Sequence, residues 1–324
     1  MNFVDILTNE VIDVSMTEKL FDKGGGIYVP SSLQSFDKNF FEKLKNRDCE
    51  TQEKDIIKEC FGIDFPYDLP PTSIVELEDE LFVLELAEYI KTATKTPNIF
   101  PLCVASAIIA AYAGIDTDGD VNVFLPLVDF DALLGAKIAK DVGLPIKNIV
   151  VATNENDEFV KFLNVGKYDA NRQIKQTLAS QMDMHVAKNF EKFAAYLEKD
   201  DIQLIKDKFE TFDKTGVLAL NCKCQDIIAG SAYDDEISSV MRAFCEENDY
   251  VFDTSSVAAA SVCDEYVDET GDETPAIILS VASPMERARD TLLALKIKSK
   301  DEEDAREQLE QLFAIERPAY LDNE

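Results

Sequence analysis

The chain has 324 residues, 46% of them hydrophobic, which is enough for one large domain or two ordinary ones around a buried core. Sixty-three acidic residues against 32 basic ones give a net charge of -31, which repels phosphate backbones and anionic lipid surfaces and argues against nucleic-acid and membrane partners. Met1 to Ile12 alternates acids with apolar residues instead of forming a leader, and the longest apolar run, Leu102 to Ala113, is shorter than the roughly 18–20 residues that span a bilayer, so a cytoplasmic protein is expected.

Met1 to about Lys95 mixes short strand-like and helical pieces, with Gly24-Gly25-Gly26 leading into the strand-like Ile27-Tyr28-Val29-Pro30 and breaks at Pro66, Pro70 and Pro71. Leu102 to Ala113 is a buried helix by its apolar character. Asp116-Thr117-Asp118-Gly119-Asp120 has acids like a calcium loop, but counting from Asp116 puts Val121 where an EF-hand needs Gly, so a turn is expected. An apolar run at Val121 to Leu125, a helix-periodic segment from Ala132 to Val142 and a second run at Ile149 to Ala152 make one right-handed βαβ unit. Cys222 and Cys224 have no second pair or nearby His, and the seven Cys as a set form no even framework, so no metal site is expected. Ile237, Val240, Met241 and Phe244 follow helical spacing, and Ala276 to Leu279 is a short buried strand. Ser283-Pro284-Met285-Glu286 predicts a capping box opening a helix through Leu295, and Asp301 to Phe313 predicts an amphipathic terminal helix.

Several segments, in order, resemble threonine synthase. Lys23-Gly24-Gly25-Gly26-Ile27-Tyr28-Val29-Pro30 is similar to the family's D-G-G-L-Y-V-P, and Leu81-Phe82-Val83-Leu84-Glu85-Leu86 to its L-x-V-L-E-L. The longest match runs from Gly143-Leu144-Pro145-Ile146-Lys147 through Val151-Ala152-Thr153-Asn154-Glu155-Asn156-Asp157 to Phe162-Leu163 and Gly166. Gln181-Met182-Asp183-Met184 and Asn189-Phe190-Glu191 resemble the family's S-x-A-M-D-I and S-N-F-E-R.

The resemblance implies a fold-type II pyridoxal-phosphate architecture, with the cofactor between a small and a large α/β domain, and the conversion of O-phosphohomoserine and water into threonine and phosphate. Such a site needs a Lys for the imine, a cradle for the cofactor phosphate, a partner at the pyridine nitrogen and donors for the substrate carboxylate. Lys95 aligns with the Schiff-base Lys, but Glu88-Tyr89-Ile90-Lys91-Thr92-Ala93-Thr94 replaces the family's H-G-P-T-x-A-F; the bland reading of Lys95 is a solvated surface residue. The glycine-bearing phosphate cradle aligns with Pro126-Leu127-Val128-Asp129-Phe130-Asp131-Ala132. There, Asp129 and Asp131 would oppose a dianion by several kcal/mol, and capping a helix that starts at Ala132 suits them better. Val281 stands where a hydroxyl residue should meet the pyridine nitrogen. Asp253-Thr254-Ser255-Ser256-Val257 replaces a segment that carries His, and the chain's single His, His185, lies elsewhere. The S-G-D-T-G stretch is missing between Lys95 and the helix at Ser106 to Ala113, leaving Thr96 to Leu102 as a connecting loop.

The expected fold is therefore α/β: a threonine-synthase-like N-terminal region, residues 1–95, joined to a reduced fold-type II large domain, residues 96–324, with the small domain mostly deleted. The expected protein is a non-catalytic threonine synthase homologue that binds no cofactor and has a protein partner or forms a homo-oligomer through apolar surface near Leu102 to Ala113 or Val121. The competing expectation is a divergent threonine synthase that uses pyridoxal phosphate through Lys95.

Overall fold

The computed structural model describes residues 1–14, 20–21, 26–45, 53–78, 80–117, 119–198, 201–220 and 225–323. Lys23, Gly24, Gly25, Asp118, Cys222 and Cys224, which bear on the expectations above, lie outside them. Strands β1 (Asn2–Asp5), β2 (Val11–Asp13) and β3 (Tyr28–Ser32) form an antiparallel sheet in the order β2-β1-β3. The expected strand at Ile27 to Pro30 is β3, shifted one or two residues.

The framework is a six-stranded sheet built from β4 (Ser73–Glu78), β5 (Leu81–Glu85), β6 (Val121–Pro126), β7 (Ile146–Thr153), β10 (Ile227–Ser231) and β11 (Ala276–Ser280), in the order β10-β7-β6-β11-β5-β4. All pairings are parallel except that of β4 with β5. Every residue of β6 and of β11 is buried, which explains why both read as continuous apolar runs and not as alternating ones. A separate antiparallel pair joins β8 (Lys167–Asp169) and β9 (Val217–Ala219).

Helices α1 (Lys38–Lys45), α2 (Glu53–Phe61), α3 (Ala87–Ala93), α4 (Phe100–Gly114), α5 (Phe130–Asp141), α6 (Glu158–Val165), α7 (Phe190–Leu197) and α8 (Ile202–Thr215) precede β10. Helices α9 (Asp234–Asn248), α10 (Thr254–Thr270), α11 (Ala288–Ala294) and α12 (Glu302–Phe313) follow it. The buried side chains fall into two clusters. One joins α1 through α8 to one side of the sheet; the other joins α9 through α12 to the opposite side.

That partition follows from the strand order. The chain steps from β5 across to β6, then β7, then β10, with its helices on one face, and returns to insert β11 between β6 and β5 with helices on the other. Right-handed crossovers require the covered face to change when the direction of travel reverses. The reversal places a topological switch at β11, where loops leave neighbouring strands toward opposite faces and open a crevice at the carboxyl ends.

The βαβ unit predicted from Val121 to Ala152 is β6-α5-β7, and the expected helices at Ile237 to Phe244 and Asp301 to Phe313 are α9 and α12. The capping box differs from expectation. Glu286 accepts from the Ser283 amide at 3.3 Å and the Ser283 hydroxyl accepts from Met285 at 3.2 Å, yet α11 begins only at Ala288. The box closes a turn, because Glu286 is also held by Lys91 and Tyr320 and fixes the backbone there. The loop expected over Thr96 to Leu102 is shorter, since α4 starts at Phe100 with Pro101 in its first turn.

Helix α4 is apolar on all sides and buried from Phe100 to Ile109, covered by α1, α2 and α5 of its own chain. The apolar surface expected near Leu102 to Ala113 thus finds its cover internally, and Val121 belongs to an interior strand. Helices α4 and α5 approach most closely at Gly135, where an added Cβ would lie 2.6 Å from Val104 and 2.8 Å from the Pro101 carbonyl oxygen. Gly135→Ala is expected to lower the unfolding free energy by about 1–3 kcal/mol through overpacking. Adding Val104→Ala should return part of that loss in a denaturant titration; an unchanged midpoint for Gly135→Ala would show that the helices separate freely.

Candidate functional site

The crevice at the carboxyl ends of β5, β11 and β6 is bounded by three loops: Leu86 onward after β5, Leu127 to Asp129 after β6 and Val281 to Arg287 after β11. Each begins where a buried strand ends, so its polar groups emerge from an apolar floor.

The loop after β6 is fixed by a second segment, residue against residue. The Phe130 amide donates to the Lys188 carbonyl at 2.9 Å. Asn189, in the left-handed region at φ 64°, donates its side-chain amide to both oxygens of Asp129 at 2.8 and 3.1 Å. Phe190 stacks on Phe130 with ring centroids 4.5 Å apart. Lys192, only 3% exposed, donates to Asp131 at 2.8 Å and to the Pro97 carbonyl at 2.9 Å.

Asp129 is the N-cap of α5, its Oδ1 accepting from the Asp131 amide at 2.8 Å. Capping by Asp129 matches the sequence expectation, with the helix starting at Phe130 instead of Ala132. Asp131 differs. It is 1% exposed, ion-paired with Lys192, and its Oδ1 has no partner among the described residues. Burial pushes its carboxyl up to about 7, against the pull of the Lys192 ammonium. Burial likewise raises Asp129, with the Asp131 amide and Asn189 opposing it.

The wall facing β7 comes from the Thr153-Asn154-Glu155-Asn156-Asp157 segment. The Asn154 amide donates to Thr177 Oγ1 at 2.8 Å, to the Ala179 carbonyl at 3.1 Å and to Asp183 at 2.8 Å; Asn156 donates to Asp183 at 3.1 Å. These residues lash the segment Thr177 to Lys188 to the sheet end and serve as structure.

On the other side, Tyr250 donates to Glu85 at 3.0 Å, and burial together with that carboxylate raises its hydroxyl well above the usual range. Asp253 caps α10 through the Ser255 and Ser256 amides at 2.9 and 3.1 Å, and the Ser256 hydroxyl receives the Val281 amide at 3.1 Å. Asp253 Oδ2 has no partner among the described residues, and burial pushes this carboxyl up to about 6. Glu286 accepts from Lys91 at 3.2 Å and from Tyr320 at 2.8 Å, and Lys91 also sits 4.9 Å above the Tyr320 ring. The tail around Tyr320 thereby crosses the mouth. It separates a cavity between the β6 and β11 loops, of about 460 Å³, from one between the β11 and β5 loops, of about 410 Å³.

Lys95 lines neither cavity. It is exposed, with Nζ 5.8 Å from the centre of the Tyr67 ring. His185 is also exposed, and only its backbone carbonyl is used, accepting from Tyr168 at 2.9 Å. The sequence reading missed Lys192, Lys188, Arg287, Tyr250 and the Lys91–Glu286–Tyr320 group. For Lys192 a signal was present: a single Lys within the otherwise apolar face Phe190 to Tyr196.

The strand order, the switch at β11 and the crevice give the chain the fold seen in fold-type II pyridoxal-phosphate enzymes. Among proteins of that fold it is similar to the threonine synthases, in structure over nearly the whole chain and in sequence over part of it. The yeast threonine synthase structure superposes with a TM-score of 0.74 at 15% identity, covering 99% of this chain and 93% of that one. The pyridoxal-phosphate-bound threonine synthase of Brucella melitensis gives 0.73 at 15% identity, covering 98% and 95%. In sequence, the human protein named threonine synthase-like 1 is 25% identical over 226 residues, 68% of this chain and 30% of its own length. Human threonine synthase-like 2 is 30% identical over 168 residues, half of this chain and 34% of its own length. The chain thus spans about a third of the length of the curated relatives it matches. No family model matches the sequence.

Removing Lys192 strands a buried carboxylate, so Lys192→Met is expected to cost about 3–5 kcal/mol, while Lys192→Met with Asp131→Leu should recover most of it. Calorimetric melting of the two variants decides; equal losses would mean that the pair does not act as a unit. Asp253 has a folded-state pKa near 6 against 3.8 for the free side chain, so the folded protein holds this proton more tightly. Its contribution is favourable below the unfolded value and is lost as pH rises through about 6. Asp253→Asn keeps a capping oxygen and should match the parent near about pH 4 but exceed it by on the order of 1–3 kcal/mol near about pH 8. A constant difference across that range would contradict the assignment.

Proposed function

We propose that this chain keeps the threonine synthase fold as a non-catalytic protein, with a binding or interaction role, and that its crevice does not take pyridoxal phosphate. The observation that carries the reading is the Asp129 carboxylate accepting from the Asp131 amide in the first turn of α5, while the Phe130 amide is taken by the Lys188 carbonyl. A helix N-terminus after a parallel strand is where a cofactor phosphate would be received, by free N–H groups and the positive end of the helix dipole. Here the chain's own carboxylate occupies that position, clamped by Asn189, and would repel a second anion.

Two further features support this reading. The family's imine Lys corresponds to Lys95, which is exposed against Tyr67, while Lys91, nearer the crevice, is engaged by Glu286 and Tyr320. The chain also passes from the end of α3 at Ala93 to the start of α4 at Phe100 directly, which supports the loss of the small domain that would close the other side of the cleft. The second reading, a divergent threonine synthase acting on O-phosphohomoserine, rests on Lys95 and on kinship with the threonine synthases.

Mixing the purified protein with pyridoxal phosphate is expected to leave the absorbance spectrum of the free cofactor unchanged, with no phosphate released from O-phosphohomoserine. An imine band that disappears in Lys95→Ala would overturn the proposal and establish the enzyme reading.

A further inference from the structure

The cavity between the β6 and β11 loops has a charge pattern that the rest of the molecule does not explain. In a chain with 32 basic and 63 acidic residues, two cations, Lys188 and Arg287, border this one cavity. Among the described residues, neither Lys188 nor Arg287 makes a side-chain hydrogen bond or ion pair. The nearby cations are committed: Lys192 to Asp131, Lys91 to Glu286. Asp129 borders the same cavity, bridged to Lys188 through the backbone, and the Lys188 charge favours its ionised form. Its Oδ1 accepts from Asp131 at 2.8 Å and from Asn189 at 2.8 Å, whereas Oδ2 has only a shared 3.1 Å contact with the same Asn189 amide. One oxygen of a half-buried, desolvated carboxylate is left to accept. Glu286, also at the cavity, is saturated by Lys91, Tyr320 and the Ser283 amide. The Gln181 amide lines the wall without a side-chain bond of its own, and the remaining lining of Val128, Met184 and Leu321 is apolar.

We infer that this cavity binds an α-amino acid with an apolar side chain, held without a cofactor: its carboxylate by Arg287 and Lys188, its ammonium by Asp129 Oδ2, its side chain against Val128, Met184 and Leu321. A dianion such as phosphate would meet the Asp129 carboxylate, and a simple amine would meet the Lys188 and Arg287 cations. Only a ligand carrying both charges satisfies both sides, and about 460 Å³ accommodates one with a branched side chain. The position, at the carboxyl ends of β6 and β11 beside the switch point, is where open parallel sheets hold ligands. The inference rests on the reading that pyridoxal phosphate does not occupy this loop.

The test is calorimetric titration of the full chain, without pyridoxal phosphate, with L-leucine and its two single-charge analogues, 4-methylpentanoate and isopentylamine. Saturable binding of L-leucine at millimolar affinity or tighter is expected, with each analogue weaker by at least about tenfold, the loss of one charge-assisted contact. Arg287→Gln should weaken L-leucine by a similar factor without moving the melting temperature, since Arg287 has no side-chain partner among the described residues to lose; Asp129→Asn, which retains a capping oxygen, should also weaken L-leucine, with a lower melting temperature because the Asn189 amide loses one acceptor oxygen. Absence of L-leucine binding, equal binding of 4-methylpentanoate, displacement by equimolar inorganic phosphate, or an affinity indifferent to Arg287→Gln would each overturn the inference. A pyridoxal-phosphate imine in the separate spectrum, with L-leucine still bound in the cofactor-free protein, would overturn the proposed function and leave this site standing.

Discussion

The crevice depends on the interlock of Asp129-Phe130-Asp131 with Asn189-Phe190-Glu191-Lys192. Each contact uses a different force: an amide on a carboxylate, one ring on another, and an ammonium on a buried acid that also reaches the Pro97 carbonyl. Together they tie the start of α5, the start of α7 and the short connection into α4. A buried ion pair contributes little net stability compared with an apolar pair of the same shape, but it is intolerant of rearrangement, because either partner alone is a desolvated charge. The interlock fixes the register of the β6 loop more than it adds to the depth of the folded state.

The same interlock limits the chemistry open to the fold. A helix end presents a small positive potential and a few free amides, and one carboxylate is enough to use them. By supplying that carboxylate itself, the chain turns a position suited to an anion into one with a free acceptor oxygen. The neighbouring cations Lys188 and Arg287 make no side-chain hydrogen bond or ion pair among the described residues, so the cavity carries both signs of charge beside that oxygen.

Much of the fold was legible in the sequence because its central strands are covered on both faces. Val121 to Leu125, Ile149 to Ala152 and Ala276 to Leu279 are too short and too apolar for anything but interior strands, and α12 carries a clear amphipathic pattern capped by Asp301. The family resemblance then supplied the architecture. The pairing of side chains was less legible. Asp131 read as a helix-capping acid because nothing local says that Lys192, 61 positions away, will meet it in the core. The Ser283 box read as a helix start because sequence spacing cannot show that Glu286 is shared with Lys91 and Tyr320. Helix α4 read as buried from its apolar character, but spacing alone does not say that α1, α2 and α5 are what cover it.

The strand order has a consequence for how the molecule is made. β11, at residues 276–280, lies between β6 and β5, so these two strands have no neighbour on their facing edges until most of the chain exists. Pairings of such long sequence separation cost loop-closure entropy before they return any stability, and they form late. During synthesis the chain therefore carries two apolar strand edges, flanking an empty slot, through most of its length. Such edges favour mispairing with other chains, and the net charge of -31 opposes the encounter.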